Sequence, residues 1–311
     1  MALLSIVLPS YNEEGNIKNT AEVLSSLLKK NNIEYELVFV DDGSVDRTYE
    51  LINEVAAKDP NVKGISFSRN FGKEASIFAG LSVTTGDAVI VMDCDLQHPA
   101  EIIPEMYSLW QQGYEVVEGI KSSRGKEGLF HKMAAGIFYS VMSGLIKMDM
   151  KSTSDYKLLD RKVVNVLLSL PEKRTFFRAL SFWVGFKTAK VNYEVQERKY
   201  GKTKWSFTSL MRYAINNATS FSTLPLQIVT FLGWMLLIFS LILGVQTLVK
   251  YFCGTAAEGF PTVILLVLLI GGIIMISLGI IGHYLARIYE EVKGRPKYII
   301  RTHTDNIKGN L

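Results

Sequence analysis

Two stretches of this 311-residue chain are almost free of charge, and they constrain its architecture more than any other feature. No charged residue lies between Arg212 and Lys250, and between Glu258 and Arg287 the only side chain that titrates near neutral pH is His283. Inside these gaps, residues 226–249 and 260–281 are near-continuous apolar runs. Each exceeds the roughly 20 residues that cross a bilayer as a helix. Helices in the core of a soluble protein keep a polar face, and these runs lack one. The hydrophobic fraction of 48% is ordinary, so the apolar content is concentrated here. A hairpin of two transmembrane helices is expected.

The net charge is +4, and its distribution matters more than its size. Arg287, Lys293, Arg295, Lys297, Arg301 and Lys308 follow the second run, whereas residues 250–261 carry one Lys and one Glu. The positive-inside bias therefore puts both termini in the cytoplasm and the short loop across the membrane. The opening MALLSIVLPSYNEE has no basic segment and only a short apolar run, so no signal peptide is expected. Cys94 and Cys253 suggest no disulfide framework. The expected organisation is a cytosolic domain (1–206), an amphipathic juxtamembrane segment (207–225), two transmembrane helices (226–286) and a basic cytoplasmic tail (287–311). The protein would be a multi-pass protein of the plasma (inner) membrane.

The cytosolic part reads as alternating elements. Apolar runs at 3–8, 35–40, 62–67 and 88–92 predict strands, with a helical pattern at 17–28 and helices at 48–57 and 74–82 between them. A helix (102–112) and a fifth strand (115–120) follow. Strands alternating with helices argue an α/β fold with a parallel sheet covered on both faces. The turn after the first strand is not G-x-G-x-x-G, so the fingerprint of a dinucleotide-binding dehydrogenase is missing. Asp41 and Asp42 end the second strand, where they read either as a turn and helix cap or as acceptors for a ribose or base edge. Residues 130–148 carry one apolar stripe with basic edges, which suits a core-facing helix or one lying in a membrane interface. Residues 208–224 are a second amphipathic candidate.

Residues 88–99, AVIVMDCDLQHP, join a buried strand directly to Asp93-Cys94-Asp95. Strand ends of this kind sit at the sheet edge where open α/β folds bind ligands. Two carboxylates one residue apart there suit Mg²⁺ or Mn²⁺, and Mg²⁺ commonly takes one or two carboxylates plus substrate phosphates. The same residues also suit a turn and N-cap ahead of a helix entering at Pro99.

In order, the chain carries VLPSYNEEGNI, VDDGSVDRT, SRNFGKEASIFAGL, MDCDLQHP, SDYKLLDR and ERKYGKTKWS. Together these segments resemble the polyprenyl-phosphate glycosyltransferases of glycosyltransferase family 2, a group that includes dolichol-phosphate mannose synthases and bactoprenol glucosyltransferases. The resemblance implies a GT-A fold, a Rossmann-like, mostly parallel sheet flanked by helices. It implies that Pro9, Tyr11, Glu13 and Asp41 line the nucleotide pocket. It gives the metal and diphosphate to Asp93 and Asp95, with Gln97 beside them. Asp155 matches an acidic residue near the reacting centre, and Arg198 and Lys204 match a basic pair on a loop that closes over the phosphates. Thr203 and Trp205 stand where the pattern has Ser and Tyr.

The implied reaction moves a hexose, glucose from UDP-glucose, onto undecaprenyl or another polyprenyl phosphate with inversion. The cofactor would be Mg²⁺ or Mn²⁺, and the partners a nucleotide sugar, the lipid phosphate and the bilayer, with no nucleic acid. A homo-oligomer is left open. Lys121 and Arg124, in a polar loop with Lys126, are placed either to meet the lipid phosphate or to form a solvated basic loop drawn to anionic lipid. Alternatives are a GDP-mannose-dependent mannosyltransferase of the same kind and a non-catalytic membrane scaffold that keeps the shell. A processive polysaccharide synthase is disfavoured, because Q-x-x-R-W is absent.

Overall fold

The computed structural model describes residues 2–121, 154–172, 175–194, 224–253 and 259–307. These fall into two compact units, one from Met1–Trp205 together with Arg295–Leu311, the other from Ser206–Gly294.

The first unit is built on an eight-stranded sheet. In chain order its strands are β1 (Leu4–Ser10), β2 (Tyr35–Asp41), β3 (Val62–Phe67), β4 (Ala88–Val91), β5 (Val116–Lys121), β6 (Lys157–Asp160), β7 (Thr188–Tyr193) and β8 (Ile300–His303). Their spatial order is β7-β5-β6-β4-β1-β2-β3-β8. The pairs β1–β2, β1–β4, β2–β3 and β5–β7 are parallel, whereas β6 runs antiparallel between β4 and β5. The central strands are buried on both faces, which is why LSIVLPS and YELVFVD read as continuous apolar runs rather than alternating ones.

Helices connect the strands: α1 (Ile17–Lys30), α2 (Thr48–Ala56), α3 (Lys73–Val83), α4 (Ile103–Gln111), α5 (Arg161–Ser169) and α6 (Phe177–Trp183). α1 buries Ile17, Thr20, Ala21, Leu24 and Leu28, a stripe at helical spacing that seals one side of the sheet. α3 is buried almost throughout from Ala75 to Leu81. Its Gly80 lies against Val7 of β1, where a methyl group would overlap the valine side chain, so only glycine lets the helix pack so closely.

Residues 295–307, expected as part of a basic tail, complete the sheet instead. β8 pairs antiparallel with β3, Ile65 opposite His303 and Phe67 opposite Ile300. Tyr298 stacks on Phe67 with ring centroids 5.2 Å apart, and Lys297 lies over the Phe78 ring at 4.9 Å. The Thr304 hydroxyl accepts from the Gly64 N–H at 3.0 Å, and the Asn306 amide donates to the carbonyls of Ala56 and Val62 at 2.8 Å each. An exposed β3 edge would leave its backbone groups unpaired, and this return segment satisfies them.

The second unit contains two long helices, α7 (Leu224–Phe252) and α8 (Phe260–Val292), of 29 and 33 residues. Both are long and apolar enough to cross a membrane. At about 1.5 Å per residue each exceeds the ~30 Å hydrocarbon thickness. Their large apolar side chains, Phe231, Trp234, Met275 and Ile276 among them, are exposed rather than packed into the protein. Among the sequence expectations, the stripe at 130–148 and most of the segment 207–225 lie outside the described residues.

Candidate active site

The site grows from the edge at which the parallel strands end. β1 and β2 pair with Ser10 opposite Asp41, so the loops that follow leave the sheet together. Asn12 and Gly43 take positive φ, 54° and 67°, which turns both chains sharply. The loops are then tied by side chains: the Asn12 N–H donates to Ser44 Oγ at 2.9 Å, and the Val45 N–H to Asn12 Oδ1 at 3.0 Å. Tyr11 projects from this edge, 46% exposed, and Glu13 receives the Asn16 amide at 2.5 Å.

Asp41 is buried, with its carboxylate accepting from the Ser44 N–H at 3.0 Å and the Ser66 hydroxyl at 2.6 Å. Asp42 accepts the N–H groups of Phe71 and Gly72 at 2.6 and 2.9 Å. Burial pushes the Asp42 carboxyl up, against those two donors. The acidic pair thus first organises the loops that carry α3 into the site.

β4 delivers Asp93, Cys94, Asp95 and Gln97. Leu96 has φ 54°, and the turn it makes lets the Gln97 N–H donate to Asp95 Oδ1 at 3.1 Å. The Asp93 N–H donates to Nδ1 of His98 at 3.2 Å, so His98 is an acceptor there and its imidazole is neutral. Burial holds the His98 pKa below its usual value despite Asp93 nearby. His98 stacks on Tyr156, centroids 4.9 Å apart, and the Tyr156 hydroxyl donates to the Pro99 carbonyl at 3.0 Å. The Cys94 thiol is buried and pushed up to about 12, which leaves it inert.

The antiparallel strand β6 explains how Asp155 arrives. Val91 pairs with Lys157, so two residues beyond that pair Asp93 and Asp155 leave the sheet side by side. Two carboxylates so placed repel, and the countercharges come from elsewhere. Lys73, at the start of α3, puts Nζ 2.5 Å from Asp93 Oδ1 and 3.2 Å from Asp155 Oδ2. Arg178 of α6 grips Asp155 at two points, Nε to Oδ1 at 3.0 Å and Nη2 to Oδ2 at 2.9 Å.

Burial opposes charge on Asp155, but Lys73 and Arg178 outweigh it and hold the carboxyl well below the usual range. Asp93 is likewise lowered, against burial, chiefly by Lys73, whose own ammonium is held protonated by the two carboxylates. Lys73 and Asp93 stay 41% and 36% exposed, whereas Asp155 is 13% exposed, so the pair is open to solvent and Asp155 is largely covered.

Beneath lies a second charged layer. Lys157 is 2% exposed and pairs with Glu118 at 3.2 Å while donating to Ser181 of α6 at 2.9 Å. Glu118 in turn accepts the Ser154 N–H at 3.0 Å, which fixes the backbone just before Asp155.

The structure therefore brings Pro9, Tyr11, Glu13, Asp41, Asp93, Asp95, Gln97 and Asp155 to one edge of one sheet. β4 and β5 both run antiparallel to β6, so Lys121, the last residue of β5, emerges at that same edge. Arg124, Arg198 and Lys204 lie outside the described residues. Sequence reasoning missed Lys73, Glu74, His98 and Arg178. Lys73 and Glu74 sit in SRNFGKEASIFAGL, where a charged pair opening an apolar helix at a strand-to-helix turn was the available signal.

Asp93 and Asp95 offer carboxylate oxygens of the kind a hard divalent cation takes, although Lys73 holds Asp93 Oδ1 at 2.5 Å. Among the described residues no group of three or more His, Cys, Asp or Glu converges, so a metal on Asp93 and Asp95 would be completed by other oxygens. That is the habit of Mg²⁺, which takes one or two carboxylates and fills its shell with water and substrate phosphate.

Comparison with known proteins adds an independent line. The sequence pattern described as Glycosyl transferase family 2 matches residues 5–163. The chain is 41% identical over 301 residues to the putative glycosyltransferase CsbB of Bacillus subtilis, spanning 96% of this chain and 91% of that one. It is 38% identical over 300 residues to the prophage bactoprenol glucosyl transferase homolog of Escherichia coli (96% and 98% covered). Identity to the bactoprenol glucosyl transferase of Shigella phage SfII is 37% over 306 residues (97% and 99%). Among solved structures, glucosyl-3-phosphoglycerate synthase from Mycobacterium tuberculosis, in complex with Mn²⁺, UDP and phosphoglyceric acid, aligns with a TM-score of 0.52. That alignment has 22% identity and covers 70% of this chain and 78% of that one, a likeness of fold.

Proposed function

The chain belongs to glycosyl transferase family 2 and has its GT-A fold, and from that premise we propose that it is a membrane-anchored inverting enzyme moving glucose from UDP-glucose to polyprenyl phosphate. The observation that carries this reading is the full-length similarity to bactoprenol glucosyl transferases, which extends through both apolar helices.

In the proposed reaction the bond from the anomeric carbon to the diphosphate oxygen breaks, and UDP leaves with the electron pair. A bond to the lipid phosphate oxygen forms on the opposite face, so an α-linked donor gives a β-linked product. A divalent cation on Asp93 and Asp95 would supply Lewis-acid neutralisation of the departing diphosphate, worth several kcal/mol in such sites. Arg198 and Lys204 would add cationic stabilisation aimed at the same oxygens. Pro9, Tyr11, Glu13 and Asp41 would line the nucleotide pocket, and Gln97 would sit beside the diphosphate.

The nucleophile needs no base. A phosphate monoester has its second pKa near 6 and is largely dianionic at neutral pH. Asp155 suits that chemistry: gripped by Arg178 and Lys73 and held ionised, it is a poor proton acceptor and a good fixed anion. The acceptor's polyprenyl chain stays in the bilayer, since each buried CH₂ is worth about 0.8 kcal/mol. The two long helices would keep the enzyme at the same surface, with Lys121 and Arg124 meeting the lipid phosphate.

The test is transfer by the full-length protein in lipid nanodiscs with Mn²⁺, undecaprenyl phosphate and labelled donor. Label from UDP-glucose should pass to the lipid fraction as a β-linked product. Label passing from GDP-mannose instead would move the reading to a mannosyltransferase, and neither transfer nor donor hydrolysis would leave a scaffold.

A further inference from the structure

α6 begins without a cap of its own. The residue before it is Phe176, whose side chain cannot accept a hydrogen bond, and no side-chain cap is made by it. The first backbone N–H groups of a helix need an acceptor, and here one comes from far along the chain. Glu74, on the first turn of α3, accepts the Phe177 N–H at 2.7 Å across 103 residues of sequence. The next residue on α6 is Arg178, the two-point partner of Asp155. Lys73, adjacent to Glu74, bridges Asp93 and Asp155 from the other side. One dipeptide on α3 thus touches Asp155 through Lys73 and the first residue of the helix that carries Arg178 through Glu74.

We propose that Glu74 is a positioning residue: its carboxyl caps α6 in trans and so seats the Arg178 guanidinium on Asp155. A negative or acceptor group at a helix N-terminus is the ordinary preference there, and a side-chain acceptor rather than charge is what the Phe177 N–H requires. Burial and the nearby Asp155 raise the Glu74 pKa to about 7, against the Phe177 N–H, and either protonation state keeps an acceptor oxygen. Glu74→Gln therefore preserves the function, and Glu74→Ala removes it. The inference rests on the transfer reaction proposed above only for its kinetic readout.

Two measurements on the full-length protein test it. In hydrogen exchange, Glu74→Ala should speed exchange of the α6 amides at Phe177–Trp183 about tenfold, while Glu74→Gln leaves them protected, as expected for loss of an N-cap. In the transfer assay Glu74→Ala should lower kcat about tenfold with KM for the donor unchanged, and Glu74→Gln should restore it. In an Arg178→Ala background, Glu74→Ala should cost nothing further in kcat, because its whole effect passes through Arg178. Unchanged α6 protection in Glu74→Ala overturns the cap whatever the activity. A full additional loss in the Arg178→Ala background overturns the link to Arg178. Absence of transfer by the unmodified protein refutes the proposed reaction and leaves the exchange result to decide the cap.

Discussion

Lys73→Met removes the ammonium placed between Asp93 and Asp155, and the structure sets the size and pH dependence of the result. Nζ is 2.5 Å from Asp93 and 3.2 Å from Asp155. At an effective dielectric near 20, charges about 3–4 Å apart attract by roughly 4–5 kcal/mol before solvation is counted. Lys73 and Asp93 are 41% and 36% open to solvent, which screens their pair strongly. Arg178 also stays on Asp155 in the variant. The net loss is then about 1–3 kcal/mol, between an exposed pair and a broken buried one. For a domain of about 200 residues that lowers the unfolding midpoint by roughly 3–10 °C.

The sign with pH follows from the lowered carboxyls of Asp93 and Asp155. Groups with depressed native pKa stabilise above their unfolded value, near 3.9, and that stabilisation is lost as pH falls through the native value. The gap between wild type and Lys73→Met should therefore be full at pH 6–7 and shrink progressively below about pH 4. Thermal unfolding of the full chain in detergent with EDTA, followed by tryptophan fluorescence from about pH 2 to 8, measures it. A gap that is absent at neutral pH, or constant across the range, refutes the electrostatic account.

Asp95→Asn should retain the unfolding midpoint and lose on the order of 10³-fold in transfer, as should wild type in EDTA; full activity in EDTA removes the metal mechanism. Changing Lys121 and Arg124 together to Gln should raise KM for polyprenyl phosphate while calorimetric donor affinity stays put; the opposite pattern assigns them to the nucleotide side. Cys253 is exposed and Cys94 buried, so a membrane-impermeant thiol reagent applied to intact cells should label Cys253 alone, and failure to label it reverses the proposed orientation.

Much of the sheet was legible because its logic is local. β1 to β4 are short apolar runs with Ser or Asp at their end or within two residues of it, and α1 and α2 carry buried stripes at helical spacing. β6 was not, because it begins with a lysine and has four residues. A buried lysine contradicts a strand reading until Glu118 and Ser181 are known to surround it. Asp155 entered only through the family pattern, since nothing local marks an aspartate whose partners lie on α3 and α6. Lys73 and Arg178 resemble solvated helix residues in sequence, and only the antiparallel insertion of β6 turns them into a shared cation site. β8 reads Ile-Arg-Thr-His, polar and mostly exposed, as an edge strand must.

That edge strand has a consequence for how the protein is made. β3 waits for its outer neighbour until about 230 further residues, both long apolar helices among them, have been synthesised. At about 5–20 residues per second the wait is on the order of 10–50 s. During it the β3 edge offers unpaired backbone groups to any other nascent strand. The catalytic domain is therefore closed by the far end of its own insertion, and a ribosome stalled within α8 would hold an enzyme with an open seam. Completion of the sheet reports that both helices have already been made.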